Sequence, residues 1–142
     1  MQNPSDDELR ALLRDVRTIA VVGIKADPSE DAHRVPAAMQ ARGYRILPVS
    51  PKCDEVLGER CVASLADLRE PVDLVDLFRA PQHVAAHAEE ILALRPRPRG
   101  VWLQLGIRDD ASAERLAAEG ITVVQDRCLM VEHGRLLGRG RG

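Results

Sequence analysis

The feature that most constrains this chain is an apolar run that ends in a glycine and leads into a polar loop. Residues 18–23 read Thr-Ile-Ala-Val-Val-Gly, the loop follows over residues 24–33, and an alanine-rich, helix-like stretch runs from about 35 to 42. This order is typical of a parallel sheet whose strands end at a ligand-binding crevice, where a helix N-terminus presents free N–H groups to a phosphate. The pattern therefore predicts a nucleotide-binding crevice after the first strand.

Four more short apolar runs alternate with helical patterns along the 142 residues. The five predicted strands cover residues 19–22, 45–49, 72–78, 101–105 and 121–125. Strands separated by helices predict an α/β fold, here a single doubly wound Rossmann-like domain over residues 1–142, with a five-stranded parallel sheet and helices on both faces. We expect the strand order 3-2-1-4-5. We expect the Gly/Arg-rich residues 134–142 to form a frayed tail.

Three local signals refine this outline. Ser5 and Glu8 have the spacing of a capping box, which predicts a short helix at the start of the chain. Pro48 lies inside the second strand and has no N–H to donate, so it marks a bulge or an early end of that strand. Residues 53–69 are predicted to be irregular apart from one helical turn at 64–67.

Composition and charge exclude several classes of partner. The chain has 20 basic and 22 acidic residues and a net charge of -2, so nothing favours a nucleic acid or an anionic membrane. No apolar run approaches the roughly 18 residues that cross a bilayer, and the acidic N-terminal segment lacks the regions of a signal peptide. The three cysteines have no CxxC spacing and are typical of reduced thiols. These features predict a cytoplasmic protein, either a monomer or a homodimer.

The residues that follow the five strands predict the rim of the crevice. They are Gly23, Ile24 and Lys25, then Ser50, Pro51 and Lys52, then Phe78 and Arg79, then Gln104 and Gly106, and finally Asp126 and Arg127. Ligands of parallel sheets bind at such strand ends. This rim is basic and carries few acids, which suits a phosphorylated ligand.

The glycine pattern argues against NAD. The fingerprint G-x-G-x-x-G needs three glycines and, about 20 residues further on, an acid for the ribose hydroxyls. Only Gly23 is present, and Lys52 follows the second strand where the acid would stand. A lysine there could pair with a phosphate on the ribose, which favours NADP or coenzyme A (CoA). It could equally be a solvated loop lysine.

Six segments, in their order and spacing, resemble the small stand-alone CoA-binding proteins, which are Rossmann-like and related to the CoA-binding domain of the succinyl-CoA synthetase alpha subunit. The segments are Ile19-Ala-Val-Val-Gly23, Asp27-Pro-Ser29, Gly43-Tyr-Arg-Ile-Leu-Pro-Val-Ser-Pro51, Val72-Asp-Leu-Val-Asp-Leu-Phe-Arg79, Val101-Trp-Leu-Gln-Leu-Gly106 and Asp126-Arg-Cys-Leu-Met-Val-Glu-His133. The resemblance covers nearly the whole chain. It implies that CoA lies across the rim with its pyrophosphate on the glycine loop.

The resemblance also implies which residues bind CoA. Residues 23–25 match the glycine loop, and residues 50–52 match a segment usually read as Asn-Pro-basic. Residues 78–79 match the segment beside the adenine and the pantetheine, and Gln104 matches the glutamine of the fourth strand.

The loop after Gly23 departs from the family at one point. It carries Glu30 and Asp31, where such proteins often have a basic residue. Two acids near a pyrophosphate would oppose binding unless they point to solvent, and Arg34 with Lys25 could offset them. His33 in this loop could donate to a phosphate or be an ordinary surface residue.

Catalysis has little support in the sequence. His83 and His87 are four apart in a predicted helix over 81–94, a spacing that can bind zinc, but no third ligand accompanies them. Asp76 is interpreted as a hydrogen-bonded structural acid. Cys128 follows Arg127 and is either a buried cysteine or a thiol able to form a mixed disulfide with CoA.

The sequence therefore predicts a module that binds CoA or an acyl-CoA, with no evident catalytic site and no metal. Three alternatives stay open: an NADP-dependent reductase, an orphan acyl-CoA ligase-type subunit, and a structural or regulatory protein with an empty crevice. A reductase would need a proton donor such as a Tyr-x-x-x-Lys pair, which the chain lacks.

Overall fold

A computed structural model describes residues 1–138 of the chain. Its helices are α1 (Asp6–Asp15), α2 (Asp31–Ala41), α3 (Val84–Ala93), α4 (Asp110–Ala118) and α5 (Leu129–Leu137). Its strands are β1 (Thr18–Val22), β2 (Arg45–Val49), β3 (Glu55–Val56), β4 (Glu59–Arg60), β5 (Leu74–Leu77), β6 (Gly100–Leu103) and β7 (Thr122–Val124). Single turns of 3-10 helix cover Leu65–Asp67 and Pro81–His83. Within these residues, no helix has the length and apolar character needed to cross a membrane.

A five-stranded parallel sheet in the order β2-β1-β5-β6-β7 forms the centre of the fold. Its two faces carry separate apolar cores, because successive side chains of a strand point to opposite sides. Ala20 and Val22 of β1 pack with α3 and α4, while Ile19 and Val21 pack with α1, α2 and α5. The predicted α/β Rossmann-like fold, with helices on both faces of a five-stranded parallel sheet, is confirmed.

The predicted strand order is wrong. Counting only the strands of this sheet, the order is 2-1-3-4-5, because β5 pairs with β1 and not with β2. The outer edge of β2 is taken by the chain after β4: Ser50 N–H donates to the carbonyl of Val62 at 2.8 Å, and Val62 N–H donates to the carbonyl of Pro48 at 3.1 Å. Pro48 has no N–H for a full ladder, which suits an edge strand. The chain direction across the sheet therefore reverses between β1 and β5, where ligands of such sheets bind.

The other edge of the sheet, at β7, contacts the N-terminal segment. Asn3 Nδ2 donates to the carbonyl of Gln125 at 2.9 Å, and Gln125 N–H donates to Asn3 Oδ1 at 2.7 Å. The side-chain amide of Asn3 thus satisfies both backbone groups of Gln125, as a neighbouring strand would. The Gln125 side chain in turn accepts from Asp109 N–H at 2.8 Å, which fixes the start of α4.

Helix α5 is missing from the sequence prediction. Residues 134–137, expected to be part of a frayed tail, form its last turn, and Leu136 packs in the same core as α1 and α2. Arg135 ties this turn to α1 through an ion pair with Asp6 at 2.9 Å. Gly134 lies inside α5 and makes its sequence look less helical, since glycine weakens a helix by about 1 kcal/mol. Residues 139–142 of the predicted tail lie outside the described residues.

The segment predicted to be irregular contains a small hairpin. β3 and β4 pair antiparallel, with Glu55 opposite Arg60. The two turn residues, Leu57 and Gly58, have φ values of 55° and 77°. Such turns usually carry Asn-Gly or Asp-Gly, so the leucine conceals the hairpin in the sequence. The helical turn predicted at 64–67 is present.

Candidate functional site

The crevice begins at Gly23, where the ends of β1, β2 and β5 meet. Gly23 N–H donates to the carbonyl of Val49 at 2.9 Å, and Phe78 N–H donates to the carbonyl of Val22 at 2.9 Å. Gly23 has a φ of 85°, and a Cβ at this position would overlap the carbonyl oxygen of Phe78. Only glycine permits this approach of two backbones. A bare backbone surface therefore lies at the centre of the crevice.

His33 and Arg34, both on α2, brace the loop that precedes the helix. His33 Nδ1 hydrogen-bonds the carbonyl of Lys25 at 2.9 Å. Arg34 donates to the carbonyl of Ser29 at 2.8 Å and also pairs with Asp31. Neither side chain lines either of the two cavities described below. The structure places both residues behind the loop and not in the wall of the site.

The two acids of this loop have different surroundings. Asp31 is exposed and its charge is compensated by Arg34, as the sequence suggested. Glu30 lines the site and has no ion pair within residues 1–138. Glu30 and Asp27 of this loop therefore leave negative charge in the wall of the site, and Asp31 borders the site as well.

One cavity at the strand ends, cavity 1, has a volume of about 480 Å³. It lies between the loop after β1, the turn after β2 and the turn after β5, with the hairpin side closed by residues 63–65. It brings together eight of the residues predicted from the sequence: Gly23, Ile24, Lys25, Ser50, Pro51, Lys52, Phe78 and Arg79.

Three cations face cavity 1 without an acidic partner in the described part of the chain: Lys25, Lys52 and Arg79. The Nε atom of Arg79 is buried and has no hydrogen-bond partner there, an arrangement that costs free energy until an acceptor arrives. Ser50 Oγ accepts from Lys52 N–H at 3.2 Å and so fixes the turn that carries Lys52. Cavity 1 therefore offers three cations to an anionic ligand, beside the carboxylates of Asp27, Glu30 and Glu90 in the same wall.

His87 and Glu90 also line cavity 1, although the sequence did not assign them to it. His87 Nδ1 lies 2.6 Å from Glu90 Oε1, one turn further along α3. His83 is exposed in the preceding 3-10 turn, and residues 1–138 contain no group of three side chains able to hold a metal ion. The structure therefore places His87 with Glu90 in the wall of cavity 1 and His83 outside it, and the His-x-x-Glu spacing on α3 was the sequence signal for this wall.

A second cavity, cavity 2, has a volume of about 550 Å³ and lies on the other side of Gly23. It shares Gly23, Lys25, Glu30, Phe78 and Arg79 with cavity 1. Its remaining wall is mostly apolar, with Asp31 and Gln104 as its polar members. It comes from the start of α2, the turns after β5 and β6 and the first turn of α5: Asp31, Ala32, Val35, Ala80, Gln104, Leu105, Ile107, Cys128, Met130 and Val131. Because α5 was not predicted, sequence reasoning did not find the part of this wall that α5 provides.

Leu105 and Val131 are 71% and 58% exposed at the mouth of cavity 2. Large apolar side chains on a polar surface mark ligand or partner contacts when they cluster. Cys128, at the start of α5, is half-buried in the same wall. Cavity 2 is thus suited to an uncharged, partly apolar group.

Gln104 borders cavity 2, but its amide is already engaged. Its Nε2 donates to Asp76 Oδ1 at 2.6 Å, and its Oε1 accepts from Leu129 N–H at 3.3 Å. Gln104 therefore joins the sheet to the N-terminus of α5 and holds the wall of cavity 2 in place.

Asp76 is fully buried on β5. Burial raises the pKa of Asp76 to about 7, while the hydrogen bond from Gln104 acts against that increase. Its Oδ2 atom has no partner among the described residues. Asp76 is thus hydrogen-bonded through Gln104, as the sequence interpretation expected.

Comparison with known proteins finds, among others, two similar proteins and one solved structure that shares only the fold. A Thermus thermophilus protein solved as cell-free ID.343 is 52% identical, with a TM-score of 0.88, over 94% of this chain and 99% of its own. The uncharacterized protein YneT of Bacillus subtilis is 38% identical over 94% of this chain and 97% of its own length. A dinucleotide-forming acetyl-coenzyme A synthetase of Ca. Korarchaeum cryptofilum shares the fold at 19% identity, with a TM-score of 0.67. This chain covers only 27% of that synthetase.

The family comparison agrees with the geometry of the crevice. The family model described as a CoA binding domain matches residues 17–134, which extend from the start of β1 into α5 and include both cavities. The resemblance stated from six sequence segments is thereby confirmed. The chain belongs to the family of CoA-binding domains.

Proposed function

We propose that this protein binds CoA or an acyl-CoA across the two cavities, with the adenosine end in cavity 1 and the pantetheine arm in cavity 2. The observation that carries this proposal is the junction of the cavities at Gly23, beside three cations without acidic partners in the described part of the chain. A CoA molecule has a charged end and a long, weakly polar arm. The two cavities differ in the same way.

The pyrophosphate belongs at the junction. Gly23 leaves the backbone open to close approach, and Lys25 and Arg79 line both cavities there. The unused Nε–H of Arg79 supplies a donor for a phosphate oxygen, and charge-assisted bonds of this kind are worth roughly 1.5–3 kcal/mol. The N-terminus of α2 adds a favourable dipole for an anion.

Lys52 is assigned to the phosphate on the ribose. It is exposed at the rim of cavity 1 and is positioned by the Ser50 hydroxyl. Only this phosphate distinguishes CoA from dephospho-CoA. NADP carries a ribose phosphate as well, so it is the second candidate ligand. The apolar wall of cavity 2 favours a pantetheine arm over a nicotinamide ribose.

Thermal unfolding in the presence of CoA, dephospho-CoA, NADP and NAD, each at millimolar concentration, tests the proposal. A ligand that binds only the folded state stabilises it by about 2.7 kcal/mol at a hundredfold excess over its Kd. We expect the largest shift in melting temperature with CoA, a smaller one with dephospho-CoA and the smallest with NAD. A larger shift with NADP than with CoA would identify a dinucleotide-binding protein and refute the proposal.

A further inference from the structure

Cys53 and Cys61 flank the hairpin of β3 and β4 next to cavity 1. The antiparallel ladder pairs Val56 with Glu59 and Glu55 with Arg60. It continues outward, since Cys61 N–H donates to the carbonyl of Asp54 at 2.8 Å. The hairpin therefore brings the two cysteines, eight residues apart in the chain, to the same end of one short ladder. Both are free thiols and half-buried.

The Cys53 thiol contacts the glycine loop, and Cys61 lies beside Cys53 at the end of the hairpin ladder. Burial, and after it the proximity of Cys53, raise the pKa of the Cys61 thiol to about 11. Cys53 Sγ in turn donates to the carbonyl of Ile24 at 3.8 Å. Cys53 lines cavity 1, whereas Cys61 packs behind it against the core shared with α1 and α2. One sulfur is thus open to small molecules and the other is held within its reach.

We propose that Cys53 and Cys61 are a redox-active dithiol, which closes to a disulfide on reaction with a small-molecule disulfide and thereby weakens ligand binding in cavity 1. The effect on binding rests on the proposed function, whereas formation of the disulfide does not. The third cysteine, Cys128, lies in the wall of cavity 2 and takes no part.

The reaction is two successive thiol–disulfide exchanges. The Cys53 thiolate attacks one sulfur of the small disulfide, forms a mixed disulfide and releases one thiolate. Cys61 then loses its proton to solvent and attacks Cys53 Sγ, which closes the Cys53–Cys61 bond and releases the second thiolate. The protein dithiol is oxidised by two electrons, and the small disulfide is reduced to two thiols. The raised pKa of Cys61 makes the second step faster at alkaline pH, because the thiolate is the nucleophile.

Closure affects cavity 1 through Ile24. In the disulfide, Cys53 no longer carries a hydrogen, so the carbonyl of Ile24 loses its donor. Ile24 lies between Gly23 and Lys25 in the loop that lines the cavity. A thiol is a weak donor, so the loss of this hydrogen bond corresponds to at most about a fivefold change in affinity. Coupling between two sites is reciprocal, so a bound ligand must oppose oxidation to the same extent.

Mass spectrometry of the full-length protein after incubation with glutathione disulfide, at mildly alkaline pH, tests the dithiol. We expect the wild type to lose two of its three thiols without retaining glutathione. Cys128→Ser should form the same disulfide, and Cys61→Ser should instead retain one glutathione on Cys53. Three unmodified thiols in the wild type, or glutathione on Cys128 alone, would refute the proposal.

Calorimetric titration of the reduced and the oxidised protein with CoA tests the coupling. We expect binding to the oxidised form to be weaker by at most about fivefold, with full recovery after reduction and slower oxidation when CoA is present. Equal affinity of both forms would overturn the coupling. If the disulfide forms but the reduced protein does not bind CoA, the proposed function fails and the dithiol stands. If CoA binds and no disulfide forms, only the dithiol is wrong.

Discussion

Cavity 1 and cavity 2 share Gly23 in their walls, but their other lining residues differ in chemical character. Cavity 1 is made by the turns that follow β1, β2 and β5, and it collects cations and polar groups. Cavity 2 is made by the turn after β6 and by the starts of α2 and α5, and its own wall is mostly apolar. The turns that form cavity 1 carry short sequence motifs. The wall of cavity 2, in contrast, forms only when α5 packs against the sheet. Under the proposed function, the comparison separates the wall assigned to the phosphates from the wall assigned to the pantetheine arm, and substitutions can test each part.

Gly23→Ala should have the largest effect, because it changes both cavities at once. The new Cβ would overlap the Phe78 carbonyl and force the end of β5 away. We expect CoA binding to fall below detection in calorimetry and the free energy of unfolding to decrease. Gly120→Ala is a matched control, since Gly120 also has a φ of 85° but open space around it. That variant should lose roughly 1 kcal/mol of stability and keep its affinity. Equal effects in both variants would mean that Gly23 matters for its φ alone.

Lys52→Ala should weaken ligand binding in cavity 1 and leave cavity 2 unaffected. If Lys52 holds the ribose phosphate, the preference for CoA over dephospho-CoA should fall by about one to two orders of magnitude, the worth of one charge-assisted bond. Lys25→Ala and Arg79→Ala should weaken both ligands alike, since both residues line the junction that the two ligands would share. An unchanged ratio of the two Kd values in Lys52→Ala would assign the phosphate to another cation.

Val131→Asp should weaken ligand binding in cavity 2 and leave binding in cavity 1 unchanged. A carboxylate at its mouth would lie against the proposed pantetheine arm, and we expect CoA to bind about tenfold more weakly, which is about 1.4 kcal/mol. Adenosine 3′,5′-bisphosphate lacks this arm and should bind unchanged. Ala85→Asp is the control, because Ala85 is an exposed residue in the first turn of α3 and lines neither cavity. A parallel loss for both ligands in Val131→Asp would show that the two cavities are not separate subsites.

Of these substitutions, Asp76→Asn should change ligand affinity least. It should instead change how the free energy of unfolding depends on pH. The folded protein raises the pKa of Asp76 from 3.8 to about 7, so it holds a proton that the unfolded chain releases. Between these two pH values the free energy of unfolding of the wild type should therefore fall as pH rises. The asparagine of the variant keeps an acceptor for Gln104 and has no charge to bury. Urea unfolding of both proteins from about pH 4 to pH 8 should give a difference that increases with pH; a constant difference would contradict the raised pKa.

The parts that sequence patterns predicted well are those determined by local chemistry. Gly23 marks a point of close backbone approach, and Ser50 and Lys52 follow a strand directly, so their place at the rim depends only on where the strand ends. The strand order was missed because it depends on the segment that covers β2. Pro48 was the available signal, since a central strand needs every N–H.

The parts that were missed depend on contacts between distant segments. α5 carries Gly134, which lowers its helix propensity, and it is stabilised by packing of Leu136 and by the Arg135–Asp6 pair. Cys53 meets Cys61 through a hairpin whose turn begins with Leu57, an unusual residue at positive φ. None of these interactions leaves a periodic pattern in the sequence. His33 and Arg34 show the reverse case: the sequence assigned them to the site by their place in the loop, but their side chains brace this loop from behind.

Each edge of the sheet is covered at its carboxyl end by another segment of the chain, and this has a consequence for assembly. A second chain that tried to add a strand beside β2 would have to displace Val62 from Pro48 and Ser50. At β7 it would have to displace Asn3 from Gln125. Covered edges are how natural proteins avoid edge-to-edge aggregation. If two copies of this chain associate, we expect them to meet through helical faces or through the exposed Leu105 and Val131, and not by extending the sheet.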